Sequence, residues 1–231
     1  LLGGLWLGAR VLGTPYGVKP AGPPLRVVLV QGNSAQDLKW RPDNLDQTLE
    51  SYVQLSLPEH GHNAVIVWPE TAIPAFYQEV APFLEVLGEK ARQDRVDYLI
   101  GIPTGSWESK AFHNSVLGIG QSIGFYHKRR LLPFGEYLPL RGLLLFFRDW
   151  VAIPMADFLP GERDQPLLRA GGQPVGISIC FEAVFGSEIR RALPEATWLL
   201  NLSNDAWFKD SLAPRQHLQI ARMRALESAR Y

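Results

Sequence analysis

Three side chains with complementary chemistry stand where apolar runs give way to polar segments. Glu70 follows Ala64-Val-Ile-Val-Trp68, Lys128 follows Ser122-Ile-Gly-Phe-Tyr126, and Cys180, the only cysteine, follows Val175-Gly-Ile-Ser-Ile179. Reactive groups of α/β proteins gather at the carboxyl ends of strands, where loops open onto a crevice. A thiol attacks poorly until it loses its proton, and a neighbouring carboxylate can take that proton as general base. Attack on a carbonyl then builds negative charge on the carbonyl oxygen. A lysine ammonium and the backbone N–H just after the nucleophile, here that of Phe181, can hold this charge. Each residue also has an ordinary reading: a buried structural thiol, a helix-capping acid near Thr71, and an exposed basic turn beside Arg129 and Arg130.

The elements that must position these groups are legible as alternating strands and helices. Buried strands are expected over 25–30, 64–68, 97–102, 175–179 and 197–202. Segments 113–119 and 122–126, separated by Gly120-Gln121, fit a hairpin whose second strand delivers Lys128. Helices are expected after Pro42-Asp43-Asn44, through Phe83 to Ala91, near 185–193, and from Pro214 with Leu218, Ala221, Ala225 and Leu226 as an apolar stripe. The stretch 131–174 is punctuated by proline and glycine and broken by the apolar cluster Leu143-Leu-Leu-Phe-Phe147. This pattern predicts an α/β protein, a mixed sheet with helices on its faces.

Composition sets the outer limits. The chain has 231 residues, 46% of them apolar and 20% charged, which is ordinary for a globular protein with a real core. Basic and acidic residues balance at 23 each, so there is no electrostatic case for nucleic acid. One cysteine makes no internal disulfide. No run of apolar residues is long enough to span a bilayer. Residues 13–24, with Pro15, Pro20, Pro23 and Pro24, read as an extended linker. Leu1 to Leu12 fit either the end of a membrane helix or a packing segment. His60-x-His62 lacks the partner spacing of a metal site. A His127–Cys180 pair of the papain type would leave Glu70 and Lys128 without roles.

The residues around the three groups form ordered boxes. Trp68-Pro-Glu-Thr-Ala-Ile-Pro74, His127-Lys-Arg-Arg-Leu-Leu-Pro-Phe-Gly-Glu136 and Gly176-Ile-Ser-Ile-Cys-Phe-Glu182 resemble the Glu-Lys-Cys boxes of the nitrilase superfamily, the carbon–nitrogen hydrolases. Asn201-Leu-Ser-Asn-Asp-Ala-Trp-Phe208 is similar to a further element of that fold. Lys128 with Leu132-Pro-Phe-Gly-Glu-Tyr-Leu-Pro139, and Gln216-His217 before Ala221-Arg-Met-Arg-Ala-Leu-Glu227, resemble the apolipoprotein N-acyltransferase branch. The resemblance implies a nitrilase-like α-β-β-α sandwich over 25–231, truncated at its C-terminus, with 1–24 as the end of a membrane helix plus linker. It implies Cys180 as nucleophile, Glu70 as base, Lys128 as oxyanion cation, and Glu136 and Glu182 as supporting carboxylates.

The implied reaction moves an acyl chain from a phospholipid, through a thioester, to the N-terminal amine of a diacylglyceryl-cysteine lipoprotein. It implies no cofactor or metal, and a place at the periplasmic face of the bacterial inner membrane. Trp40 falls where the branch meets phospholipid, and Leu143, Phe146 and Phe147 read as part of an arm near acyl chains. Two other readings use the same residues differently: a soluble amide or nitrile hydrolase with the same triad, and a non-catalytic binding module.

Overall fold

In the computed structural model, residues 23–34, 39–106, 108, 111–137, 139, 158–208 and 210–231 are described. Leu143, Phe146, Phe147 and Leu1 to Leu12 lie outside the described residues. Among the described residues, a five-stranded sheet runs in the order β1 (Val27–Leu29), β2 (Val65–Trp68), β3 (Asp97–Ser106), β4 (Ala111–Ile119), β5 (Gly124–His127). The first three strands are parallel and the last three antiparallel. The connections dictate this, since parallel neighbours need a crossover and antiparallel ones need only a turn. The crossovers hold α1 (Leu45–Ser56) and α2 (Ala81–Asp94). A second sheet contains β6 (Leu168–Ala170), β7 (Gln173–Ile179) and β8 (Trp198–Leu202), with β7 and β8 parallel through α3 (Gly186–Arg191). The last helix, α4, spans Ala213–Ser228.

Strand β2 is buried along its whole length, because both of its faces are covered. Ile66 and Trp68 pack outward, with Tyr98 and Ile100, against Leu49 and Tyr52 of α1 and Leu84, Leu87 and Ala91 of α2. Val65 and Val67 pack inward, with Leu99, Val116 and Tyr126, against Val175, Ile177, Ile179 and Leu200 of the second sheet. On the far side of β7, a side chain at Gly176 would collide with Leu199, Ala192 and Ala196, so the end of α3 packs close against the strand. The result is the expected α-β-β-α sandwich. Asp97 ties its sheets together: one carboxylate oxygen accepts from the Gln121 N–H and the other from the Gly171 N–H, both at 2.8 Å.

Several details differ from the sequence reading. Strand β3 continues to Ser106, and β7 begins at Gln173. Strand β6 lies in the stretch read as irregular, where three residues before Gly171-Gly172 carry too little periodicity to register. The stripe of α4 is not buried: Leu218 is 55% and Leu226 67% exposed. At the outer edge of β8, the Leu199 N–H donates to the Tyr231 carbonyl at 2.7 Å. Among the described residues no helix is long and apolar enough to cross a membrane.

Candidate active site

Each of the three groups stands at the carboxyl end of a strand. At the end of β2, Pro69 has no N–H to extend the ladder. The chain bends over β3 so closely that a side chain at Gly101 would overlap the Pro69 carbonyl and the backbone of Glu70 and Thr71. Thr71 takes a left-handed conformation, with φ of 50°. Beyond β5, the Lys128 N–H donates to the Asn114 carbonyl at 2.8 Å and extends the pairing with β4. Alternation along the strand sends Tyr126 and Lys128 inward and His127 to the opposite face. There His127 Nδ1 meets the Ser115 hydroxyl at 2.8 Å, so the ring is engaged away from Cys180. Cys180 ends β7 with φ of 50° and starts the 3-10 turn Cys180–Val184. A non-glycine residue held there costs about 1–3 kcal/mol, which the surrounding contacts must offset.

These strand ends bring Glu70, Lys128, Glu136 and Cys180 to one place. Lys128, only 1% exposed, sits between two carboxylates, 3.4 Å from Glu70 Oε1 and 2.9 Å from Glu136. Asn114 Nδ2 donates to both, at 2.7 Å to Glu70 Oε1 and 2.8 Å to Glu136 Oε1. The Asn204 N–H donates to Glu70 Oε2 at 2.9 Å, and the Leu132 N–H to Glu136 Oε2 at 2.7 Å. Burial works against the charge on Lys128, but Glu70, Glu136 and Cys180 outweigh it and raise its pKa. The ammonium therefore stays charged in the interior.

Burial pushes the Cys180 thiol up to about 12 and Glu70 adds to the rise. Lys128, the Ser203 hydroxyl and the Phe181 N–H pull the other way. The resting group is thus a neutral thiol beside a carboxylate and an ammonium. That arrangement lets a base take the thiol proton as sulfur attacks, with a cation and an N–H near the developing oxyanion.

Glu182 occupies a different position from Glu136. It is fully buried beneath the cysteine turn, and four donors fill its carboxylate. They are the Tyr126 hydroxyl at 2.9 Å and the N–H groups of Ile179 at 2.8 Å, Arg129 at 2.6 Å and Arg130 at 3.0 Å. Burial raises its pKa against the pull of these donors. Glu182 thereby fastens the lysine segment to the cysteine turn. Trp40 is half exposed and follows Lys39, whose buried ammonium lies 3.4 Å from the Glu70 carbonyl oxygen. Burial lowers Lys39 to about 8, and Glu70 counteracts part of this.

Sequence reasoning passed over Lys39, Asn114 and Ser203. None of the three carried a signal, because their partners come from segments distant in the chain. His60, considered for metal, holds Asp94 Oδ2 and the Tyr98 hydroxyl, each at 2.6 Å.

An α-β-β-α sandwich with a thiol, a carboxylate and an ammonium at three strand ends is the arrangement expected of carbon–nitrogen hydrolases. Residues 26–231 match the carbon–nitrogen hydrolase family model, and the chain belongs to that family. Solved relatives carry the same fold. A carbon–nitrogen hydrolase from Helicobacter pylori superposes with a TM-score of 0.60 at 16% identity, over 89% of this chain and 70% of that one. An amidase from Nesterenkonia sp. gives 0.59 at 18% identity, over 93% and 76%.

Within the family, the chain is similar to apolipoprotein N-acyltransferases. It is 50% identical to that of Methylococcus capsulatus over 92% of this chain and 42% of the relative. It is 42% identical to that of Nitrosomonas europaea over the whole of this chain and 46% of the relative. The chain thus spans about half the length of the curated relatives it matches.

Proposed function

We propose that this chain is the catalytic domain of an apolipoprotein N-acyltransferase. The observation that carries the reading is one buried thiol flanked by Glu70 and Lys128 in a chain half identical to such an enzyme. Cys180 is the nucleophile, Glu70 the base, and Lys128 with the Phe181 N–H the oxyanion donors. Glu136 holds Lys128 in place, and Glu182 braces the turn. As sulfur attacks the ester carbonyl of a phospholipid, the thiol proton passes to Glu70. The tetrahedral intermediate then expels the lysophospholipid alkoxide, which recovers that proton from Glu70, leaving an acyl thioester on Cys180.

In the second half, the amine of a diacylglyceryl-cysteine lipoprotein attacks the thioester. Glu70 takes a proton from the amine and returns it to the departing Cys180 thiolate, and the acyl chain ends in an amide. Such a domain works at the periplasmic face of the bacterial inner membrane. Trp40, half exposed and next in the chain to Lys39, and the 143–147 segment are the proposed contacts to lipid. The mechanism requires no cofactor or metal.

Two-substrate kinetics on the full-length protein carrying this chain test the reading. With phosphatidylethanolamine and a diacylglyceryl-cysteine peptide, a covalent intermediate gives parallel double-reciprocal lines. Intersecting lines would contradict the covalent intermediate, and steady ammonia release from simple amides with no peptide acylation would support the hydrolase reading.

A further inference from the structure

The loop after β8 and the helix α4 converge on the back of the nucleophile, at a group to which the proposed mechanism gives no role. The Cys180 carbonyl oxygen accepts two hydrogen bonds, from His217 Nε2 at 2.8 Å and from Asn201 Nδ2 at 3.3 Å. A carbonyl oxygen only accepts, so in this contact His217 Nε2 is the donor. The other ring nitrogen, Nδ1, lies 3.0 Å from Asp205 Oδ1, and the imidazole side chain is 12% exposed. Asp205 is held in turn by the Ser203 hydroxyl at 2.6 Å. With both ring nitrogens protonated, Asp205, His217 and the Cys180 peptide form a continuous chain of hydrogen bonds.

The far end of that peptide is the N–H of Phe181. In a trans peptide the carbonyl and the N–H point in opposite directions in one plane. Anchoring the carbonyl on His217 and Asn201 consequently fixes the direction of the Phe181 N–H, the oxyanion donor of the proposed mechanism. Drawing electron density toward the carbonyl oxygen also makes the amide a stronger donor, since bonds in such a chain polarise one another. Cys180 needs this restraint more than most residues, because its left-handed backbone is not self-sustaining.

We infer that His217, oriented by Asp205, is a positioning residue that sets the oxyanion hole by fixing the Cys180–Phe181 peptide. The inference rests on the acyl-transfer reading and adds a residue to it. Because no residue of α4 is buried, His217 also helps to seat that helix, and a purely structural role must be separated from the proposed one.

Two reactions at the same sulfur make the separation. Thioester formation needs an oxyanion hole, whereas alkylation by iodoacetamide builds no oxyanion. In the full-length protein with phosphatidylethanolamine, His217→Ala is expected to slow thioester formation on Cys180 by roughly 10- to 100-fold, up to the scale of losing one oxyanion donor. The KM for lipid should stay at the wild-type value, and alkylation should change by less than about threefold, as expected when only transition-state binding is lost. His217→Gln, whose amide N–H can reach the carbonyl, should recover most of the rate. A His217→Ala protein that forms thioester at the wild-type rate overturns the inference. So does a parallel fall in both reactions, or a glutamine variant no better than alanine. A wild-type protein that forms no thioester fails the acyl-transfer reading itself, and the alkylation arm identifies that case because it needs no lipid.

Discussion

A lysine buried between two carboxylates and a thiol kept neutral by burial define this site at the scale of single residues. The thiol, pushed up to about 12, is protonated throughout the neutral range, and its thiolate fraction rises tenfold for each pH unit below that value. The rate of Cys180 alkylation by iodoacetamide should therefore climb steadily from pH 7 to pH 10. A plateau near neutrality would mean a preformed thiolate and no need for Glu70 as base. Removing Lys128 has two costs. It deletes an oxyanion donor, lowering turnover by roughly 10²–10³. It also leaves Glu70 and Glu136 facing each other in the interior, which should destabilise the fold by about 3–5 kcal/mol. Thermal melts of Lys128→Ala against the double variant Lys128→Ala/Glu136→Gln check this, because neutralising Glu136 should restore part of the lost stability.

At the scale of elements, the site depends on how sharply three strands end. Gly101 is the clearest case, since any side chain there meets the backbone of Pro69, Glu70 and Thr71. Gly101→Ala should displace Glu70 and cut acylation more than tenfold, read as ΔΔG‡ from kcat/KM. A variant with wild-type kcat/KM would show that the Glu70 loop is free to shift. The strand ends were legible in the sequence because the apolar runs give way at Pro69-Glu70, His127-Lys128 and Phe181-Glu182. The residues that complete the site were not, because Asn114, Lys39 and Ser203 acquire their partners only when separate elements meet. Strand β6 is too short to register, and the apolar stripe of α4 predicts a burial that Leu218 and Leu226 do not show.

At the scale of the whole molecule, the two sheets must keep their relative position, because Glu70 and Lys128 come from one and Cys180 from the other. The inner core sets the spacing and Asp97 pins the far end. Asp97→Ala leaves the Gln121 and Gly171 N–H groups without their acceptor and should cost about 3–6 kcal/mol in denaturant unfolding, the scale of two charge-assisted bonds. An unchanged midpoint would show that the core alone holds the sheets in register. The central claim is that Cys180 carries the acyl chain. Intact-mass spectrometry of the full-length protein after incubation with phosphatidylethanolamine tests it most directly. The account predicts a mass gain of one acyl chain that maps to Cys180, is lost on treatment with hydroxylamine, and is absent from Cys180→Ala. An unmodified Cys180 in a protein that still acylates its lipoprotein substrate would contradict it.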